Sequence, residues 1–170
     1  MGRVDDKVAM VTGSGNGQGR AEAKLLAQEG AKVAVADIRI DDANAVAAEI
    51  NEAGGDAIAI NLDVTSPESW EMALDEVEAK LGKLNILVNN AGISGSSQNP
   101  NDPLSIEGWD NILNVNAKGV FLGCRASIPR MITNGGGSIV NISSISGLVG
   151  SIRGNSHPAY NASKGGVRLL

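Results

Sequence analysis

The chain has 170 residues, enough for one domain with a sizeable core and too few for two. Its 14 Lys+Arg stand against 19 Asp+Glu, a formal net charge of -5 with no basic cluster, which argues against nucleic acid or an anionic membrane surface as partner and for a small ligand. Cys124 is the single cysteine, so neither a disulfide nor a cysteine-based metal site can form within the chain, and no apolar run has transmembrane length.

The first apolar strand, Val8-Ala9-Met10-Val11, runs straight into Thr12-Gly13-Ser14-Gly15-Asn16-Gly17-Gln18-Gly19. An Ala/Leu-rich helix over 20–29 follows, stopped by Gly30. Strand, glycine turn and helix in that order are the context in which a glycine-rich loop holds a dinucleotide. Gly13 turns tightly off the strand, Gly17 leaves room for a pyrophosphate, and Gly19 lets the helix come close to the sheet. The helix N-terminus then aims its free amides and positive dipole end at the phosphates.

A second apolar strand over 32–37 ends in Asp37, about twenty residues past the loop, where an adenosine ribose arrives. Asp37 can accept from both ribose hydroxyls and would repel a 2′-phosphate. Ser14-Gly15-Asn16 offers no basic residue to compensate. Arg39 could swing toward a phosphate, but the balance favours NAD over NADP.

Asp41 or Asp42 can cap a helix that runs to Ala53 and is ended by Gly54-Gly55, and residues 57–61 form a third strand. Ser66-Pro67-Glu68 has the cap, first-turn proline and acidic residue of a helix start. Trp70, Leu74, Val77 and Leu81 follow at helical spacing, with Trp70 in the core or at its edge. The fourth strand, over 86–88, opens into Asn89-Asn90-Ala91-Gly92 and a polar loop over 94–103, of the kind that borders sites. A long helical region over 105–132 changes character at Asn114-Val115-Asn116. Within it Cys124 is expected as a small apolar residue on a buried face. Gly135-Gly136-Gly137 then delivers a fifth strand over 138–142.

This alternation predicts an α/β, doubly wound parallel sheet of Rossmann type. Thr12, Asp37, Asp63, Asn89 and Ser143 or Ser144 fall at the carboxyl ends of its strands, the edge at which such sheets bind ligands. A loop over 147–158, with Leu148, Val149, Ile152 and Arg153, borders the expected substrate pocket, and its His157 is expected to be solvated.

Tyr160, the one tyrosine, stands four residues before Lys164, so the two share a helix face. An ammonium held beside a phenol favours the phenolate, which makes a phenol usable for proton transfer near neutrality. Any helix with an aromatic residue and a lysine one turn on shows Tyr-x-x-x-Lys. Combined with a dinucleotide loop, it points to redox chemistry on a hydroxyl or carbonyl.

With these motifs the sequence resembles the classical short-chain dehydrogenases/reductases, and among them secondary-alcohol dehydrogenases. The loop from Thr12 to Gly19, Asn89-Asn90-Ala91-Gly92, Asn114-Val115-Asn116, Ile142-Ser143-Ser144 and Tyr160-Asn161-Ala162-Ser163-Lys164 occur in the family's order across nearly the whole chain. The resemblance implies strand order 3-2-1-4-5 in one domain over 1–170, with later strands missing and the C-terminus incomplete. It implies Tyr160 as general acid/base, Lys164 as its electrostatic partner and nicotinamide-ribose ligand, Ser144 as orienter of the substrate oxygen, and Asn116 as holder of a relay water. Gly13, Asn16, Gly17, Gln18, Gly19, Asp37, Asp63, Val64, Asn90, Ala91 and Gly92 are the remaining NAD-binding positions, Asp63 and Val64 at the adenine. Gln18 departs from the usual aliphatic residue and is expected to tune cofactor grip.

The implied function is hydride transfer between NAD(H) and a small, apolar secondary alcohol or ketone, without a metal. A cytoplasmic homo-oligomer, dimer or tetramer, is expected in the full-length form, through the 105–132 region and the helix from Tyr160. The competing expectation is a truncated dinucleotide-binding or interaction module that holds NAD without turnover.

Overall fold

A computed structural model of the chain describes residues 2–94, 105–149 and 157–170. Strand β1, Val8–Thr12, is buried along its whole length. β1 lies between β2, Lys32–Asp37, and β4, Leu84–Asn89, parallel to both. β3, Asp56–Asn61, pairs with β2, and β5, Ser138–Asn141, pairs with β4, which completes the order 3-2-1-4-5. Side chains alternate across a strand, so β1 feeds two cores. Val8 and Met10 join one with Trp70, Leu74, Val77 and Leu87, while Ala9 and Val11 join the other with Ala23, Val33, Val46 and Ile50.

Helices α1, Gly17–Gln28, and α2, Ile40–Glu52, pack on the second of these faces; α3, Pro67–Lys80, packs on the first. Ser66 caps α3 by accepting from the Ser69 amide at 3.1 Å, with Pro67 in the first turn. The expected side-chain cap of α2 is absent. Arg39 occupies that position without a side-chain bond, and Asp41 and Asp42 sit inside the first turn, where the dipole favours acids. Asp37 starts the turn instead, taking the Arg39 amide on Oδ1 at 3.0 Å.

The change of character at residues 114–116 is a π-helical turn, Asn114–Lys118, between α4, Ile106–Leu113, and α5, Gly119–Thr133. Such turns interrupt long helices at functional positions. Arg130 fastens α5 to α3 through Glu71, Asp75 and Glu78, at 2.8, 2.7 and 3.0 Å. Trp70 is fully buried, and its Nε1 donates to the Val64 carbonyl at 3.1 Å.

Cys124 is half-buried rather than buried, beside polar groups. The Asn89 amide approaches its sulfur at 3.7 Å and its thiol faces Asn141 Oδ1 at 3.8 Å. Burial pushes the thiol pKa up, opposed by the Asn141 contact. Among the described residues no helix is long and apolar enough to cross a membrane. The last helix, α6, Pro158–Leu169, carries Tyr160 and Lys164. The 94–103 loop beyond Ser94, and Ile152 and Arg153 of the 147–158 loop, lie outside the described residues.

Candidate active site

Above the carboxyl ends of β1, β2 and β4 lies a cleft of about 520 Å³. Gly13, Asn16, Gln18, Gly19, Asp37, Asp63, Val64, Asn90, Ala91 and Gly92 all line it, so residues spread over eighty positions of sequence converge there. Gly17 is not in the lining, though its φ of 54° and open surroundings mark a turn with clear space before it.

The floor is built by hydrogen bonds between the first and fourth strand ends. Thr12 Oγ1 accepts the Asn90 and Ala91 amides at 3.1 and 3.0 Å. Asn90 Nδ2 returns bonds to the Thr12 and Gly13 carbonyls at 2.9 and 3.2 Å. This reciprocal set fixes the glycine loop against the Asn-Asn-Ala-Gly turn. At Gly19 a Cβ would collide with Asn90 Nδ2 and stand 2.5 Å from the Gly13 carbonyl oxygen, so glycine is required by close approach. The polar Gln18 side chain donates to Glu22 Oε1 at 2.8 Å along the helix.

Asp37 is 7% exposed and spends its carboxylate on the backbone, Oδ2 taking the Gly15 amide at 2.9 Å and Oδ1 the Arg39 amide. It thereby ties the glycine loop to the end of β2. Asp63 Oδ1 similarly accepts from the Thr65 amide at 2.9 Å and hydroxyl at 2.7 Å, shaping the wall that Val64 continues.

Gly92 is where the cleft meets a second cluster. A Cβ there would lie 3.3 Å from Asn116 Oδ1 and 3.5 Å from Lys164 Nζ. Asn116 is fully buried in the π-helical turn. Its Oδ1 accepts the Ile93 amide at 2.8 Å, and its Nδ2 donates to the Ile93 carbonyl at 2.8 Å and to Ser163 Oγ at 3.1 Å. Both amide protons are therefore committed, and the side chain splices the β4 loop to α6. Ser163, which the sequence reading did not single out, completes the splice by donating to the Tyr160 carbonyl at 2.7 Å. The available signal was a small polar residue between Tyr160 and Lys164 on a helix face turned to the core.

Lys164 is 4% exposed, and its Nζ donates to the Ile142 carbonyl at 2.6 Å. The same nitrogen lies 6.0 Å from the Tyr160 ring centroid. Burial lowers the Lys164 pKa from its ordinary value of 10.5. The two neighbouring serines differ in their use. Ser143 Oγ donates its proton to the Lys164 carbonyl at 2.7 Å, while Ser144 Oγ accepts from the Ser146 amide at 3.1 Å and, among the described residues, its own O–H has no acceptor. Tyr160, Lys164, Ser144 and Asn116 are not in the cleft lining; they adjoin it at Gly92 and at the end of β5.

A parallel 3-2-1-4-5 sheet, a cleft lined by a glycine loop at the carboxyl ends of its strands and a Tyr/Lys helix at its end together define a doubly wound α/β fold of Rossmann type. The sequence profile of the family described as "short chain dehydrogenase" matches residues 7–170, and the chain belongs to that family. It is 46% identical over 170 residues to the cyclopentanol dehydrogenase of Comamonas testosteroni, covering 100% of this chain and 66% of that protein. It is 43% identical over 168 residues to the 2,5-dichloro-2,5-cyclohexadiene-1,4-diol dehydrogenase of Sphingobium indicum strain B90A, covering 99% of this chain and 65% of that one. Among solved structures, a 7 alpha-hydroxysteroid dehydrogenase complexed with NADH and 7-oxo glycochenodeoxycholic acid superposes with a TM-score of 0.89 at 36% identity, over 99% of this chain and 64% of that chain. The chain thus spans about two thirds of the length of these relatives.

Proposed function

We propose that this chain carries the cofactor site and proton-transfer machinery of an NAD-dependent dehydrogenase acting on secondary alcohols or their ketones. The observation that carries the reading is Lys164, a buried ammonium held at 2.6 Å by the Ile142 carbonyl beside the Tyr160 ring, at the end of a cleft shaped for a dinucleotide.

The cleft residues fit the cofactor. Asn16, Gln18 and Gly19 bring the α1 N-terminus and its free amides to the pyrophosphate, and Asp37 stands where the adenosine ribose would lie. Asp63 and Val64 would meet the adenine, and Asn90, Ala91 and Gly92, which line the same cleft, would carry the nicotinamide half toward Tyr160. When bound, the nicotinamide would accept the carbinol hydride or return it to a ketone.

Tyr160 takes the alcohol proton at its phenolic oxygen, and gives one back in the reverse direction. Ser144, whose O–H has no acceptor among the described residues, orients the substrate oxygen. Ser143 is spent on α6 and leaves that role to its neighbour. Because the Asn116 amide protons are committed, its contribution is to hold the π-helical turn and α6 in register, and the relay water is left to its one free acceptor direction. Exposed Leu148 and Val149, in the loop after β5, would suit a cyclic or otherwise hydrocarbon-rich alcohol, as in the name of the cyclopentanol dehydrogenase relative.

Exposed Phe121, Ile128 and Ile132 on α5 support a homo-oligomer built on the α5 and α6 faces, and the acidic, cysteine-poor composition supports a cytoplasmic setting. The test is calorimetric NAD binding followed by NADH absorbance with a panel of cyclic secondary alcohols. Binding with turnover that Tyr160→Phe abolishes is the expected result. Binding without turnover in any panel member sinks the dehydrogenase reading and leaves a dinucleotide-binding module.

A further inference from the structure

Asp42, in the first turn of α2, forms an ion pair with Arg39, Oδ2 to Nη2 at 2.9 Å. We propose that Asp42 is a selectivity residue for the cofactor, because this pair withholds from a 2′-phosphate the cation that could otherwise receive it. The inference rests on the NAD reading above.

Three observations carry it. Among the described residues that line the cleft, Arg39 is the one cation, and it stands with Asp37 and Ile38 at the ribose end. The other guanidinium close to the loop, Arg20, is committed to Glu49 at 2.7 Å. Asp42 itself packs on the loop: its Cβ is 2.7 Å from where a Cβ on Gly15 would stand, and Asp37 Oδ2 is 2.9 Å from the same point. Two acidic side chains, Asp37 and Asp42, therefore flank Gly15, and Arg39 is ion-paired with the second.

The Asp37 oxygens accept the Gly15 and Arg39 amides, while the latch, the ion pair of the Arg39 guanidinium, is with Asp42. Arginine is the side chain best shaped to grip a phosphate in two-point fashion. An unpaired Arg39 would therefore offset part of the repulsion between Asp37 and a 2′-phosphate. The side chains are 60% and 42% exposed, so the pair is a weak, screened one and the selectivity it confers is modest.

The test uses the whole chain and measures dissociation constants of NAD and NADP by calorimetry for wild type, Asp42→Asn, Arg39→Ala and the double variant. Asp42→Asn keeps the side-chain volume against Gly15 while removing the charge. The expected result is a preference for NAD over NADP that falls roughly two- to five-fold in Asp42→Asn. That gain should vanish in Asp42→Asn/Arg39→Ala and shrink at high salt. An NADP affinity that does not change in Asp42→Asn, with NAD still bound, overturns the latch alone. A gain that persists without Arg39 also overturns it, since the charge of Asp42 would then act directly. Failure of the wild-type chain to bind either dinucleotide overturns the cofactor reading and the latch together.

Discussion

The Lys164 ammonium donates to the Ile142 carbonyl at 2.6 Å, joining the helix of Tyr160 to the end of β5. One turn of helix is thereby anchored beside the sheet edge where the cleft ends. Ser143 adds a second tie to the Lys164 carbonyl, and Gly147 lies so close that a Cβ there would come within 2.6 Å of the Lys164 carbonyl carbon.

Buried lysine makes stability depend on pH in a defined direction. Because burial lowers the Lys164 pKa in the folded state, the unfolded chain binds more protons between that lowered value and 10.5. Stability therefore rises with pH through this window, and the cost of the buried ammonium is present in full below it. In urea titrations, wild type should gain relative to Lys164→Met as pH approaches 10.5. A stability difference that stays flat with pH would contradict the burial account.

Tyr160→Phe removes one oxygen and leaves the ring over Lys164. The expected loss is roughly a hundred- to ten-thousand-fold in kcat, the range for a positioned acid/base. NADH absorbance under saturating alcohol measures it, with calorimetry confirming that NAD still binds.

Asn116→Ala leaves the Ile93 amide and carbonyl and the Ser163 hydroxyl without their partner in a fully buried place. A cost of about 3 kcal/mol is expected from the unsatisfied groups. Chemical denaturation gives the value. Hydrogen exchange should show α6 opening before β1, because the lost bonds are those that splice α6 to the fourth-strand loop.

Gly19→Ala forces a methyl group into Asn90 Nδ2 and the Gly13 carbonyl. The loop must shift, at roughly 2 kcal/mol of stability. NAD affinity should fall by more than the stability change alone accounts for, since the same shift moves the amides of the α1 N-terminus. Calorimetry and thermal unfolding on one sample separate the two effects.

Local signals in the sequence were sufficient for the elements and their order. The apolar runs gave all five strands, Ser66-Pro67-Glu68 gave the start of α3, and the glycine loop gave the turn from β1 into α1. These follow from interactions within a few residues: backbone conformation at glycine, a capping hydroxyl, and alternation of apolar side chains. The cap of α2 was misplaced because Asp37, three residues before the helix, begins that turn through a bond to the Arg39 amide.

The amino-acid sequence by itself determined a parallel sheet with a glycine loop after its first strand and a Tyr/Lys helix after its last. Only the tertiary structure decided how those parts are joined, because the joining bonds span long separations in the chain. Thr12 holds Asn90 across the sheet, Asn116 holds Ser163 between two helices, and Lys164 reaches Ile142. Which serine is spent and which asparagine protons are committed depend on partners brought together by burial of the two cores. No spacing rule along the chain encodes that choice, since each hydrogen bond is fixed by the three-dimensional packing that desolvates both of its ends.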